Sequence, residues 1–320
     1  MIEHAIIMAA SPSRSMEALT RTRPKAMLPI LGRPMIARIM DGYYQAGIRR
    51  FTVVVGEDEG GVAVWLHEKW HPDAQLNFLP RGHKRGTAAA LFACRSVIDG
   101  PFVITSCDAI VPDEHIRRVL HYFDNHPEDA GVLSLHPAPD EIAEVGGVLL
   151  DPRGYVIFAS EQPSGGHQGY ITALPIFAFT PAVLGYLDQL PVAVESGGRA
   201  LSSLIQMMVD DNQLVGSMEA PEPVRLQTAE DLLAANIAAL GSLPMAAMLS
   251  DVPTSAEIID PVYIDAGVTV RENVTLGPNV YLESGSEIGA NARVSNAIVL
   301  GVRVGIGQKI DQQVIKDDRL

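Results

Sequence analysis

From Ala256 onward an aliphatic residue returns at every sixth position: Ile258, Ile264, Val270, Leu276, Leu282, Ile288, Val294, Leu300 and Ile306. An α-helix turns through about 3.6 residues, so a period of six walks around its surface and leaves no buried face. A three-sided parallel β-helix does hold this period, because each hexad forms one side and turns its aliphatic residue inward. The residue two places earlier is small or apolar in most repeats, as at Val262, Val268, Val274 and Val280, and glycine follows the aliphatic position at Gly277, Gly289, Gly301 and Gly307. Nine hexads fill three coils, which predicts a short left-handed parallel β-helix over 256–320 with Ile264, Leu282 and Leu300 stacked in its core. An alternating β-sandwich segment is the weaker alternative. Residues 241–255, GSLPMAAMLSDVPTS, read as the linker ahead of it.

The first 240 residues have a different rhythm. Apolar strand-like runs at 5–10, 51–55, 76–79 and 101–106 alternate with helical patterns at 34–47, 60–71, 86–98 and 113–124. Strands of this kind are apolar on both faces, which fits parallel pairing with right-handed helical crossovers. A strand-richer stretch follows, at 130–135, 146–150, 155–158 and 171–179, and then helical patterns at 181–189, 198–210 and 228–240. The expected class is α/β: a Rossmann-like mixed, mostly parallel sheet domain over 1–240, followed by the β-helix.

Composition excludes several function classes. Hydrophobic residues make up 47% of the 320, enough for a sizeable core, and the formal charge of −14 makes nucleic acid and anionic membranes poor partners. Cys94 and Cys107 are the only cysteines, so neither a disulfide framework nor a Cys-x-x-Cys metal site is available. The apolar run at 5–10 lacks the basic flank and length of a secretion signal, and no apolar stretch is long enough to span a bilayer. The cytoplasm is the expected compartment. Trp65 and Trp70 read as packing residues, and His83 as a solvated loop residue or a phosphate contact.

The loop after the first strand is where a parallel sheet binds ligands, outside the carboxyl ends of its strands. It is locally basic: Arg14, Arg21, Arg23, Lys25, Arg33 and Arg38 are opposed only by Glu17. A cationic loop on an anionic protein points either to a phosphate-bearing small molecule or to a solvated basic face.

The stretch MAASPSRSMEALTRTRPKAMLPILGRPMI, 8–36, resembles the glycine-rich loop of sugar-1-phosphate nucleotidyltransferases. The family pattern there runs Ala-Ala-Gly-x-Gly-Thr-Arg, a spacer, Pro-Lys-x-Leu-Leu-Pro, then Gly-x-Pro-Met. RGTAAAL at 85–91, TSCDAIV at 105–111, SEQP at 160–163 and QTAEDLLAAN at 227–236 resemble further family segments in the same order. A hexapeptide tail is also common in the family. The resemblance implies in-line attack of a sugar-1-phosphate on the α-phosphorus of a nucleoside triphosphate, with release of pyrophosphate. It implies catalytic roles for Lys25 and Arg14, and nucleotide or phosphate contacts from Ala10, Ser11, Ser13, Gly86 and Thr87. It places Glu161 and Arg225 on the sugar side and makes Asp108 a ligand of Mg²⁺. A turn-capping role for Asp108 before Pro112, and a plain surface role for Lys25, remain the alternatives. The 11–25 loop and Asp108 are expected to share one rim.

The sequence departs from the family pattern at chemistry positions. Ser11 and Ser13 replace loop glycines, Ser15 stands at the loop arginine with Arg14 displaced by one, Cys107 replaces the glycine before Asp108, and Gln162 replaces a lysine. Arg225 stands where the pattern has a second metal aspartate, three residues before Thr228. Two readings stay open: an active enzyme in which Arg14 and Arg225 take over charge neutralisation, or a catalytically silent homologue that binds nucleotide or nucleotide sugar as a regulatory or assembly subunit. Acyl transfer, a third class, usually needs a histidine base near the β-helix, and none follows His167. With three coils the tail is expected to be an oligomerisation or positioning module, and the protein a homo-oligomer.

Overall fold

The computed structural model of the chain describes residues 1–10, 16–56, 59–82, 86, 88–137, 147–160, 171–190, 200–243 and 246–316. The chain divides into two units, one of Met1–Ser11 with Ile36–Pro223 and one of Pro12–Met35 with Val224–Leu320. Each is discontinuous in sequence.

The first unit is built on a mixed, mostly parallel sheet of nine strands. They are β1 (His4–Met8), β2 (Arg50–Val55), β3 (Gln75–Pro80), β4 (Phe102–Ser106), β5 (Gly131–Pro137), β6 (Gly147–Leu150), β7 (Val156–Ser160), β8 (Ile171–Phe179) and β9 (Val215–Glu219). The order is β7-β6-β8-β4-β1-β2-β3, with β5 on β8 and β9 on β5. β1 pairs in parallel with both β2 and β4, whereas β8 runs antiparallel to β4 and β5. Ala5, Ile6 and Ile7 are fully buried, as expected for a strand covered on both faces. Helices α1 (Met35–Gln45), α2 (Gly60–Lys69), α3 (Ala89–Cys94), α4 (Asp113–Asn125) and α5 (Leu201–Asp210) alternate with the strands. α1 buries Ile36, Ala37, Met40 and Tyr43, a three-to-four spacing that makes one apolar stripe, and Gly47 just beyond it takes φ +103°. α4 begins after Pro112 with Asp113 and Glu114, two carboxylates at the positive end of its dipole. The core gathers Ile6, Phe102, Ile104, Leu133, Phe179 and Leu204. β9 has no counterpart in the sequence expectation, and Pro181–Gln189 is a 3₁₀ rather than an α-helix.

The second unit contains helix α6 (Ala229–Gly241) and a curled sheet of short parallel strands from 247 to 315, the form of a left-handed β-helix. Ile264, Val270, Leu276, Leu282, Ile288 and Val294 are buried in its core as the hexad frame requires. The third coil departs from that frame. Val262 lies opposite Val280, an offset of 18 residues, but Val280 lies opposite Ala297, an offset of 17, and Glu287 lies opposite Arg303, an offset of 16. Val299 therefore stacks on Leu282 in place of the expected Leu300, and Val304 takes the inward place expected of Ile306, which is 73% exposed. The physical reason is the two-residue pleat: losing one residue at a corner shifts which side chains face inward. One residue is lost at the corner of Asn296, at φ 45°, and a second between Val299 and Arg303, where Gly301 takes φ 65°. Among the described residues no helix is long and apolar enough to cross a membrane.

Two stability predictions follow from the packing. Leu282→Asp would bury an unpaired charge and cost several kcal/mol, whereas Ile306→Asp should change stability by less than about 0.5 kcal/mol. Urea unfolding of both variants checks the corrected frame, since the uninterrupted hexad would make the two equally damaging.

His4 and His115 are buried in the first unit, bonded to Thr52 and Ser134, and burial pushes each imidazole from its ordinary 6.5 down to about 4. The folded state holds both neutral while the unfolded chain takes up protons near pH 6.5, so this stability is present above that pH and lost as pH falls towards 4. The urea midpoint should drop steeply over that interval, by up to about 3 kcal/mol per histidine. Replacing His115 by Gln should flatten the drop.

Candidate functional site

In the first unit, Met8 of β1 lies opposite both Val54 of β2 and Ser106 of β4, and Pro80 of β3 lies opposite Val55. The carboxyl ends of four parallel strands therefore form one rim, and the residues just past them face a common edge. Backbone bonds hold the exits in place: Ala9 N–H donates to Val54 O (2.9 Å), Cys107 N–H to Met8 O (3.2 Å), and Arg81 N–H to Val55 O (2.9 Å). Ala10 and Asp108 are thereby brought to the same rim. Asp108 is half-buried and accepts a hydrogen bond from Ser106 Oγ at 2.5 Å. Gly86, at φ +97°, belongs to the same unit and uses a backbone conformation that favours glycine.

Arg81 was not anticipated. Its guanidinium donates from Nη1 to the carbonyl of Ala10 at 2.7 Å, so it ties the loop after β3 to the loop after β1. Its Nε is buried with no hydrogen-bond partner among the described residues, a donor available to an anion at the rim. The available sequence signal was its position as the first residue after β3, at the head of the cationic run 81–85. Cys107 is buried, with its thiol 3.8 Å from Ala9 O. Cys94 is buried too, and desolvation pushes its thiol up to about 12, far from a nucleophilic thiolate.

In the second unit, Pro24 (φ −57°, ψ 146°) leads into a 3₁₀ turn, Lys25–Met27, closed by bonds from Met27 N–H to Pro24 O and from Leu28 N–H to Lys25 O. Lys25 is buried. A tight hairpin follows, pairing Pro29–Ile30 with Arg33–Pro34, and both turn residues, Leu31 and Gly32, have positive φ. The tip is held by α6: Asn236, fully buried, accepts from Leu31 N–H (3.0 Å) and donates to Pro29 O (3.1 Å) and Leu232 O (2.9 Å). Gly32 sits so close to Asp265 that a Cβ would stand 2.7 Å from its Oδ1. α6 itself starts with a capping box in which Thr228 and Asp231 satisfy each other's backbone N–H groups. The stretch QTAEDLLAAN is thus a helix start and a hairpin clamp. Arg225 is half-exposed in the short strand Val224–Arg225.

Lys25 and Arg225 belong to the second unit, and Ala10, Gly86 and Asp108 to the first. Ser11, Ser13, Arg14, Thr87 and Glu161 lie outside the described residues. Among the described residues no three His, Cys, Asp or Glu side chains cluster as a self-contained metal cage. One carboxylate at a strand end, with a hydroxyl beside it, fits a Mg²⁺ ion that takes its remaining ligands from phosphate oxygens and water.

The nucleotidyl transferase family model matches residues 4–223. The bifunctional protein GlmU of Methanocaldococcus jannaschii is 25% identical over 66% of this chain and 48% of its own length. A bifunctional sugar-1-phosphate nucleotidylyltransferase/acetyltransferase of Sulfurisphaera tokodaii is 24% identical over 98% of this chain and 79% of its own. A UDP-glucose pyrophosphorylase crystallised with UDP-glucose superposes with a TM-score of 0.67 at 13% identity, covering 76% of this chain and all of that one, a likeness of fold. The chain spans about half the length of the first of these relatives.

Asn236→Leu would remove the hairpin clamp and leave Leu31 N–H buried without an acceptor. The expected loss is about 2–4 kcal/mol of unfolding free energy. A calorimetric melt indistinguishable from that of the unmodified chain would show that the hairpin holds without α6.

Proposed function

The chain belongs to the nucleotidyl transferase family, and on that premise we propose that it joins a nucleoside triphosphate to a sugar-1-phosphate and releases pyrophosphate. The observation that carries this reading is the shared rim of Ala10, Arg81 and Asp108, where a backbone carbonyl, a cation and a carboxylate stand at the carboxyl ends of parallel strands. A phosphate oxygen of the sugar-1-phosphate attacks the α-phosphorus, the bond from that phosphorus to the bridging oxygen breaks, and pyrophosphate departs. Little covalent work falls to the protein. Its task is to hold the two substrates in line and to stabilise charge on the phosphates.

In this reading Ala10, Ser11, Ser13, Gly86 and Thr87 line the triphosphate, while Lys25 and Arg14 neutralise it. Glu161 and Arg225 serve the sugar side, and Arg81 joins the phosphate ligands. Nucleotidyltransferases of this family typically use divalent metal ions, and Asp108 is the residue that would hold Mg²⁺. When bound, that ion would screen negative charge shared between phosphate oxygens. Arg225 would complement phosphate by forked hydrogen bonds where the family pattern has a carboxylate. We take 1–240 as the nucleotidyltransferase module, 241–255 as the linker and 256–320 as an oligomerisation module, in a cytoplasmic protein.

A second reading, a catalytically silent homologue that binds nucleotide or nucleotide sugar, is favoured by one specific substitution: an arginine at 225 cannot ligate Mg²⁺ and repels it. The deciding assay mixes UTP, dTTP, GTP or CTP with a panel of sugar-1-phosphates and measures pyrophosphate, with Mg²⁺ and with chelator. The first reading expects release, lowered about a hundredfold or more by Lys25→Ala and by Asp108→Asn. Nucleotide binding without release selects the second reading, and neither binding nor release overturns both. Arg225→Asp should make nucleotide affinity more dependent on Mg²⁺. Affinity that already vanishes under chelator in the unmodified chain would contradict the role given to Arg225.

A further inference from the structure

The β-helix reaches into the segment that carries Lys25. We propose that Arg23 and Glu283 form a clamp through which the β-helix positions Lys25 for phosphate, an inference that rests on the reading of Lys25 as a phosphate ligand. Arg23 and Glu283 are 260 residues apart in sequence and meet in a forked pair, Nη1 to Oε1 at 2.5 Å and Nη2 to Oε2 at 2.9 Å. Both side chains are largely shielded, at 29% and 16% exposure, so the pair is less screened than a surface ion pair and fixes orientation as well as distance.

The connection from this pair to Lys25 is short and stiff. Only Pro24 intervenes, and its ring holds φ at −57°. The 3₁₀ turn begins at Lys25 itself, so the lysine leaves the clamp with few free torsions. Downstream the same segment is held again, at the hairpin tip, by Asn236 and by the close seat of Gly32 on Asp265. Asp265 and Glu283 are equivalent residues of successive coils: each follows an inward aliphatic residue, Ile264 and Leu282, which lie opposite each other in the ladder. Tyr281 OH donates to Asp265 Oδ2 at 2.8 Å and orients that carboxylate. One corner of the β-helix thus offers two stacked carboxylates to the cationic segment, one on each side of Lys25. Arg23 is neutralised by Glu283.

Arg23 and Glu283 are therefore positioning residues, and their effect is read on phosphate affinity. The probe is inorganic pyrophosphate, the product common to every nucleotide, titrated calorimetrically into the full chain in Mg²⁺ buffer. Glu283→Gln and Arg23→Gln should each weaken binding about tenfold, because small misplacements of a ligating group carry large penalties. The double exchange Arg23→Glu with Glu283→Arg should return affinity to within about threefold of the unmodified chain. Were Arg23 itself the phosphate ligand, that exchange would not rescue binding, and the proposal would be overturned. A lowered melting temperature with unchanged affinity in Glu283→Gln would also overturn it, leaving a structural pair. If Glu283→Gln does not fold, Arg23→Lys keeps the charge and loses the fork, and a loss of about threefold is expected; full affinity in that variant counts against the clamp. Lys25→Ala separates the two layers. Loss of binding there with full affinity in Glu283→Gln removes the clamp alone, and full affinity in Lys25→Ala removes the phosphate role of Lys25 and the clamp with it.

Discussion

β1 is hydrogen-bonded in parallel along both edges, to β2 and to β4, with Met8 in register with Val54 and Ser106. Double parallel pairing leaves a strand no free edge and no face for water, so its residues must be apolar throughout and its neighbours must return by crossovers on the outside. That requirement aligns the strand ends. Once they are aligned, the first polar groups past each strand fall on one line, which is why a backbone carbonyl at Ala10, a guanidinium at Arg81 and a carboxylate at Asp108 come to share a rim although 98 residues of sequence separate the first from the last. The rim follows from the sheet's hydrogen bonding, and its chemistry from which side chains happen to stand there.

The second unit shows a different economy. Its hairpin is too small to be stable alone, since a two-stranded ribbon in water is marginal at best. It borrows order from a buried asparagine on α6 and from two carboxylates at one corner of the coil. Segments from opposite ends of the chain meet in one compact body, and the motif QTAEDLLAAN is revealed as architecture: Thr228 and Asp231 start the helix, and Asn236 holds the hairpin. Retention of such a stretch beside altered chemistry positions therefore speaks first about fold.

The sheet and the β-helix were legible because both rest on periodic burial, which a sequence displays directly. The continuous apolar runs at 51–55 and 101–106 and the hexads from Ile258 to Val294 needed no long-range information. The third coil was misread because aliphatic residues continue at the sixth position through Leu300 and Ile306 while the corners at Asn296 and Gly301 each shorten the coil by one residue. Periodicity records what kind of residue recurs, whereas register depends on how many residues each corner consumes. The roles of Arg81 and of the Arg23–Glu283 pair were missed for a related reason. Their meaning lies in partners far away in sequence, and nothing local distinguishes Arg23 from Arg21. The resemblance placed Asp108 at a strand end, as found. It could not say that Cys107 would be buried against Ala9 or that Lys25 would sit in the same unit as the tail.

The interleaving of the two units has a consequence for synthesis. A growing chain exposes the cationic segment 16–35 early, yet the residues that hold it, Asn236, Asp265 and Glu283, are made more than two hundred residues after the groups they bind. The sheet of the first unit can close in the meantime, because its own segments end at Pro223. A segment translated late therefore sets an earlier loop in order, and a nascent chain cannot present Lys25 in its final geometry before the β-helix has begun to coil.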